Sequence, residues 1–159
     1  MKLGDVLKKE REGRGLSRHE SIPADTMAQK LGLLADEYAD IEAGNSPAED
    51  WGFRLAQIAI QCEIPTSRLL AESGKSADCK PGQAGTLIQR AREKKGKSTA
   101  EIAEAMGIST DEYATVEAGS SPIEKVGPLL LRFAEVIEQP VFNLFYPCGL
   151  PYRELEDYP

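Results

Sequence analysis

Residues that commonly carry chemistry are scarce in this chain. Of its 159 residues one is histidine, three are cysteine and one is tryptophan, and aromatics make up 6%. Cys62, Cys79 and Cys148 form no CxxC pair, and His19 alone cannot complete a Cys/His zinc set, so no metal is expected. A lone histidine, without a glycine-rich elbow around a serine, also gives no catalytic triad, and no glycine-rich phosphate loop follows a strand. Neither an enzyme activity nor a cofactor is expected. No apolar run approaches the ~18 residues of a membrane span, and the opening MKLGDVLKKEREGRG is charged throughout, without the apolar segment of a secretory signal. The expectation is a cytoplasmic protein with reduced thiols and no membrane partner.

Positive charge is the next shortage. Nineteen Lys and Arg face 26 Asp and Glu, for a formal net charge of −7. A field of that sign repels nucleic acid and anionic membrane at long range. The apolar share, 41%, suffices for the core of one large domain or two small ones.

What is present is a repeat. Leu31-Gly32-Leu33-Leu34-Ala35-Asp36-Glu37-Tyr38-Ala39-Asp40-Ile41-Glu42-Ala43-Gly44 returns as Met106-Gly107-Ile108-Ser109-Thr110-Asp111-Glu112-Tyr113-Ala114-Thr115-Val116-Glu117-Ala118-Gly119, an offset of 75. The match continues through Pro47/Pro122, Gly52/Gly127, Leu55/Leu130, Pro65/Pro140 and Leu69/Leu144. Upstream, Gly4 to Arg11-Glu12 pairs with Gly85 to Arg92-Glu93 at an offset of 81, so the first copy holds about six extra residues, placed as a loop insertion within 18–26. The expected division is a first domain over 1–72, a linker over 73–83, a second domain over 84–146 and an irregular Tyr/Pro/acidic tail over 147–159.

Each copy reads as five short helices. In the second, Leu87, Ile88 and Ala91 recur at helical spacing, and the basic cluster Arg92, Lys94, Lys95 runs to Gly96, a helix-stopping residue. Ser98-Thr99-Ala100-Glu101 is a capping box, whose hydroxyl and carboxylate satisfy free amides at a helix start. Ser109 or Thr110 caps the third helix, Pro122 opens the fourth with Leu129, Leu130, Phe133, Ala134 and Ile137 as its apolar stripe, and Val141 to Phe145 forms a short fifth. In the first copy Pro23 and Ala24 replace Ser98 and Thr99, so the box is missing.

The run Ser-x-x-Glu-Ile-Ala-x-x-Met-Gly-Ile-Ser-x-x-x-Tyr-x-x-Val-Glu-x-Gly, followed by Pro and Leu-Leu-x-x-Ala, resembles the lambda-repressor-like (Xre) helix-turn-helix family. The likeness covers about 65 residues twice. It implies an all-α fold of two tandem five-helix helix-turn-helix domains. It also implies that the Glu before the third-helix Gly is structural and pairs with a first-helix Arg; by position the pairs are Arg11–Glu42 and Arg92–Glu117.

In that family the second helix of the motif enters the major groove, and residues near its N-terminus contact bases. Here those positions hold Ala35, Asp36, Glu37 and Asp40, and Thr110, Asp111, Glu112 and Thr115. No Lys or Arg occurs from Leu31 to Phe53 or from Ser98 to Glu124, and each window holds six carboxylates. A specific DNA binder typically neutralises about 6–10 phosphates, and these faces neutralise none. Eleven of the 19 basic residues instead lie in or just after the two first helices: Lys2, Lys8, Lys9, Arg11, Arg14, Arg18, Arg90, Arg92, Lys94, Lys95 and Lys97. They serve either as a displaced nucleic-acid or acidic-partner surface or as complements to the C-terminal ends of those helices.

The expected function is therefore a protein-binding adaptor or accessory factor on a degenerate helix-turn-helix scaffold. Asp36, Glu37, Asp40, Asp111 and Glu112, with the tail tyrosines Tyr146, Tyr152 and Tyr158, would meet a partner protein bearing a basic patch. The alternative is an Xre-type transcriptional regulator whose two copies imitate a dimer, DNA being the less favoured partner. A third reading has the acidic faces mimic DNA. The acidic copies and tail also resemble helix-turn-helix-like accessory proteins encoded with nitrogen-fixation machinery, which would imply docking on a metalloenzyme such as nitrogenase. The tail either packs across its own domains or straps a partner. The linker composition, with Gly74, Ser76, Pro81 and Gly82, is that of a flexible segment that permits the halves to pack or to swing; Cys79 and Cys148 are expected as exposed spare thiols rather than a redox pair, Cys62 as core, and Trp51 as core rather than an exposed anchor.

Overall fold

Helical periodicity accounts for every regular element among the described residues, which in this computed structural model are 1–16 and 18–149. The chain runs α1 (Leu3–Arg11), α2 (Ala24–Leu31), α3 (Ala35–Ala43) and α4 (Ala48–Cys62), then a 3-10 turn (Thr66–Leu69). A second 3-10 turn (Ser76–Asp78) leads into α5 (Gln83–Lys94), α6 (Thr99–Met106), α7 (Thr110–Glu117) and α8 (Ile123–Val136), closed by 3-10 turns at Val141–Leu144 and Tyr146–Cys148. The two halves thus repeat one element order. The fifth element of each is a single 3-10 turn rather than an α-helix. Pro65 and Pro140 precede turns of four residues, too short for the i to i+4 bonding of an α-helix to propagate.

Both α4 and α8 are followed by a non-glycine residue in the left-handed region, Glu63 (φ 51) and Glu138 (φ 55), 75 positions apart. The backbone reversal that brings each fifth element back under the bundle is therefore the same in both copies. Ser46 Oγ accepts the Ala48 N–H at 3.1 Å and Ser121 Oγ the Ile123 N–H at 3.2 Å, so the starts of α4 and α8 are also capped alike.

The inserted residues of the first copy are absorbed without disturbing what flanks them. In the second copy the Arg92 guanidinium donates to the Lys97 carbonyl at 2.9 Å; in the first, Arg11 donates to the Ile22 carbonyl at 2.9 Å. The longer loop leaves α1 and returns to the same guanidinium position, and the Ile22 N–H closes on the Arg11 carbonyl at 2.9 Å. Inside it the Glu10 carboxylate, 2% exposed, accepts the Leu16 N–H at 2.5 Å.

The halves share one core. α4 packs on α8; α4 also packs on α6 and α8 on α2; α1 meets the Val141–Leu144 turn and α5 the Thr66–Leu69 turn. Each contact recurs with the halves exchanged, the isologous pairing of a two-fold dimer realised inside one chain. Close approach depends on two equivalent glycines. A methyl group at Gly52 would stand 2.6 Å from Leu3 and 3.4 Å from both Leu130 and Phe145, and one at Gly127 would stand 2.4 Å from Leu70. Leu55, Ile58, Leu130 and Phe133, each 0% exposed, fill the seam between α4 and α8.

The segment joining the halves is docked, contrary to its flexible composition. Ser76, 9% exposed, donates through its N–H and its hydroxyl to the two oxygens of Glu135 on α8, each at 2.6 Å. A charge-assisted pair of this kind fixes a segment that glycine and serine would otherwise leave free.

Candidate protein-binding faces

The frame of each half is a forked ion pair. Arg11 Nε and Nη2 donate to the two Glu42 oxygens at 2.6 and 3.1 Å, and Arg92 does the same to Glu117 at 2.6 and 3.1 Å. The four side chains are 10–13% exposed. This ties α1 to α3 and α5 to α7 with the geometry that planar guanidinium and carboxylate allow. The Tyr38 and Tyr113 hydroxyls lie buried close by, and burial followed by the Glu42 and Glu117 carboxylates pushes both phenols far above their ordinary pKa.

Two further carboxylates, not singled out in the sequence, complete the frame. Glu49 accepts the N–H groups of Leu3 and Gly4 at 3.2 and 2.6 Å, and Glu124 accepts that of Gly85 at 2.9 Å. Each covers the positive end of the first helix of its half. The signal was available: both acids stand two residues after the repeated proline, in register at the offset of 75.

What is left of the acidic windows is asymmetric. On α3, Asp36, Glu37 and Asp40 are exposed. Glu37 accepts the Leu34 N–H at 2.9 Å, and Asp36 accepts the Glu37 N–H at 3.0 Å, so both also complement the helix start. Asp40 lies beyond the first turn. On α7, Asp111 and Glu112 are exposed, and Glu112 pairs across the halves with Arg54 of α4 at 3.3 Å. Ser109 caps α7 through its hydroxyl at 3.1 Å; at the equivalent place in the first half stands Leu34, a 68% exposed leucine.

Several of the basic residues expected at the first helices are engaged within the chain. Arg11 and Arg92 hold the ion pairs, Lys95 donates to Glu63 at 2.6 Å, Lys97 to Gln61 at 3.0 Å, and Arg14 meets Glu12 at 2.5 Å. The Lys95 and Lys97 contacts reach from one half to α4 of the other or to its end. Lys2, Lys8, Lys9, Arg18 and Lys94 remain exposed.

A groove of about 360 Å³ opens between α3 and α8, floored by Leu33, Ile41, Ala48, Val126 and Leu129 and edged by Glu37, Asp40 and Lys125. Its counterpart between α7 and α4 carries Trp51 where Val126 stands and Arg54 where Leu129 stands. Trp51 is 8% exposed, as expected of core, and the Arg54 guanidinium sits 4.5 Å from its ring centroid.

Cys62 is buried, as expected of core, whereas Cys79 and Cys148 are half-buried rather than exposed. Burial raises all three, Cys79 and Cys148 to about 11, so none is a thiolate near neutral pH. Of the tail tyrosines, Tyr146 is exposed at the start of the last 3-10 turn, while Tyr152 and Tyr158 lie outside the described residues. No group of His, Cys, Asp and Glu among the described residues is placed to hold a metal ion, and no helix among them is long and apolar enough to cross a membrane. Compared with models of protein families, with curated proteins and with solved structures, the chain matches none.

Proposed function

We propose that the chain is a degenerate helix-turn-helix protein of lambda-repressor-like architecture, two domains fused as an internal dimer, that acts as a protein-binding adaptor and not as a DNA reader. The observation that carries this reading is the exposed outer surface of α3 and α7, the helices that would enter the major groove. Those faces present Asp36, Glu37, Asp40, Asp111 and Glu112, and neither helix contains a Lys or Arg. Against duplex DNA such faces meet phosphate with like charge, whereas a basic protein patch is attracted. The engagement of Arg11, Arg92, Lys95 and Lys97 within the chain points the same way.

One observation favours the rival regulator. The reciprocal contacts of α4 with α6 and α8 with α2 give the chain the two-fold relation that a dimeric reader of paired half-sites needs. Anisotropy of labelled random duplex DNA at about 50 mM salt separates the two. The adaptor reading expects no binding at micromolar protein. Tight binding that falls steeply with added salt would overturn it in favour of the regulator.

A further inference from the structure

The two halves are not equally finished. At the α7/α4 position Trp51 is 8% exposed, and Arg54 lies over its indole at 4.5 Å and reaches Glu112 at 3.3 Å. At the α3/α8 position the corresponding side chains are Val126 and Leu129, and a space of about 360 Å³ remains over Leu33 and Ile41. Glu37, the counterpart of Glu112, there has a leucine where Glu112 has an arginine. The tryptophan and the arginine of one half are thus both replaced by aliphatic side chains in the other.

We propose that the α3/α8 groove is a docking site for a segment of a partner protein that inserts an aromatic side chain over Ile41 and Val126 and sets an arginine or lysine against Glu37. The occupant is defined by the side chains that stand at the equivalent place in the other half. An indole or phenol ring covers the apolar floor, and a neighbouring cation answers Glu37 as Arg54 answers Glu112. The volume is at the lower end of the range for ligand pockets, which suits one aromatic anchor and not a folded domain. Lys125 on the α8 edge faces the acids across the groove and disfavours a segment with a second cation on that side.

This assignment rests on the protein-binding reading and names its site. The probe is a labelled, alanine-rich helical peptide carrying one Trp and one Arg three residues apart, titrated against the full chain. Saturable one-to-one binding is expected, weakened at least tenfold by Val126→Trp with Leu129→Arg, which installs the side chains that stand at the equivalent positions of the other half. Glu37→Gln should weaken it about tenfold, and replacing the peptide Arg by Glu should do the same without further loss in the Glu37→Gln chain. Circular dichroism and thermal melting of each variant separate a lost site from a lost fold. Equal affinity for the parent chain and the Val126→Trp, Leu129→Arg chain would overturn the assignment. So would binding that emerges only after Tyr152→Ser with Arg153→Glu, because the occupant would then be the chain's own tail. The DNA titration distinguishes the levels: peptide failure without DNA binding removes this site alone, and salt-sensitive DNA binding removes the adaptor reading beneath it.

Discussion

Arg92 is held by acceptors of two kinds, the forked Glu117 carboxylate and the Lys97 carbonyl, in a setting where its side chain is 13% exposed. Removing Glu117 leaves a largely desolvated cation with one neutral acceptor. Glu117→Ala is therefore expected to cost about 3 kcal/mol, read from the urea midpoint at unchanged slope. A loss under about 1 kcal/mol would place the pair with ordinary surface bridges. These residue pairs could be named from the sequence because resemblance supplied the register, whereas Glu49 and Glu124 looked like any solvated acid. Their role exists only once the chain brings α1 and α5 back over them. The thiols make a second prediction at this scale. Burial raises Cys79 and Cys148 from 9.0 to about 11, so between those values the folded state binds more protons than the unfolded one. Their contribution is present below pH 9.0 and is lost as pH rises through about 11. Thermal midpoints should fall over that window, and fall less in a chain with Cys79→Ser and Cys148→Ser; an identical fall in both chains would show that these thiols do not titrate with the fold.

Among the elements, helix starts were more legible than helix contacts. The Ser98–Glu101 box forms as its spacing requires, with both reciprocal bonds at 3.1 Å. It could be read because a capping box is local, closing within four residues. The contact of α5 with α7 is not local. A methyl group at Gly85 would stand 2.4 Å from the Val116 carbonyl oxygen and 2.9 Å from that of Glu117. In an isolated helix Gly→Ala gains up to about 1 kcal/mol. Here Gly85→Ala pushes two backbones apart and should destabilise by about 1–3 kcal/mol, the cost of overpacking. Chemical denaturation measures it, and a stabilised variant would show that α5 and α7 have room to part. The linker left packing and swinging open for a related reason: Gly and Ser composition describes the freedom of a chain in solvent, and the Glu135 carboxylate that removes this freedom lies 59 positions away.

At the scale of the molecule, the consequence of reciprocal packing is cooperativity. Because α4, α8 and both fifth elements bury their apolar faces on the opposite half, neither half can lose its structure without exposing the core of the other. Calorimetry is expected to give one transition with matching calorimetric and van't Hoff enthalpies. Two resolved transitions would mean that the seam contributes little. The existence of two copies, their helical elements and their acidic third helices were determined by the sequence alone, since periodicity, caps and charge are written in the residues themselves. How the copies meet was decided only by the tertiary structure. An apolar stripe on α4 or α8 states that a face is buried and not what buries it, and the difference between Trp51 with Arg54 and Val126 with Leu129 has a consequence only when the opposite half is set against it, where Arg54 meets Glu112 and Val126 and Leu129 line a groove with α3.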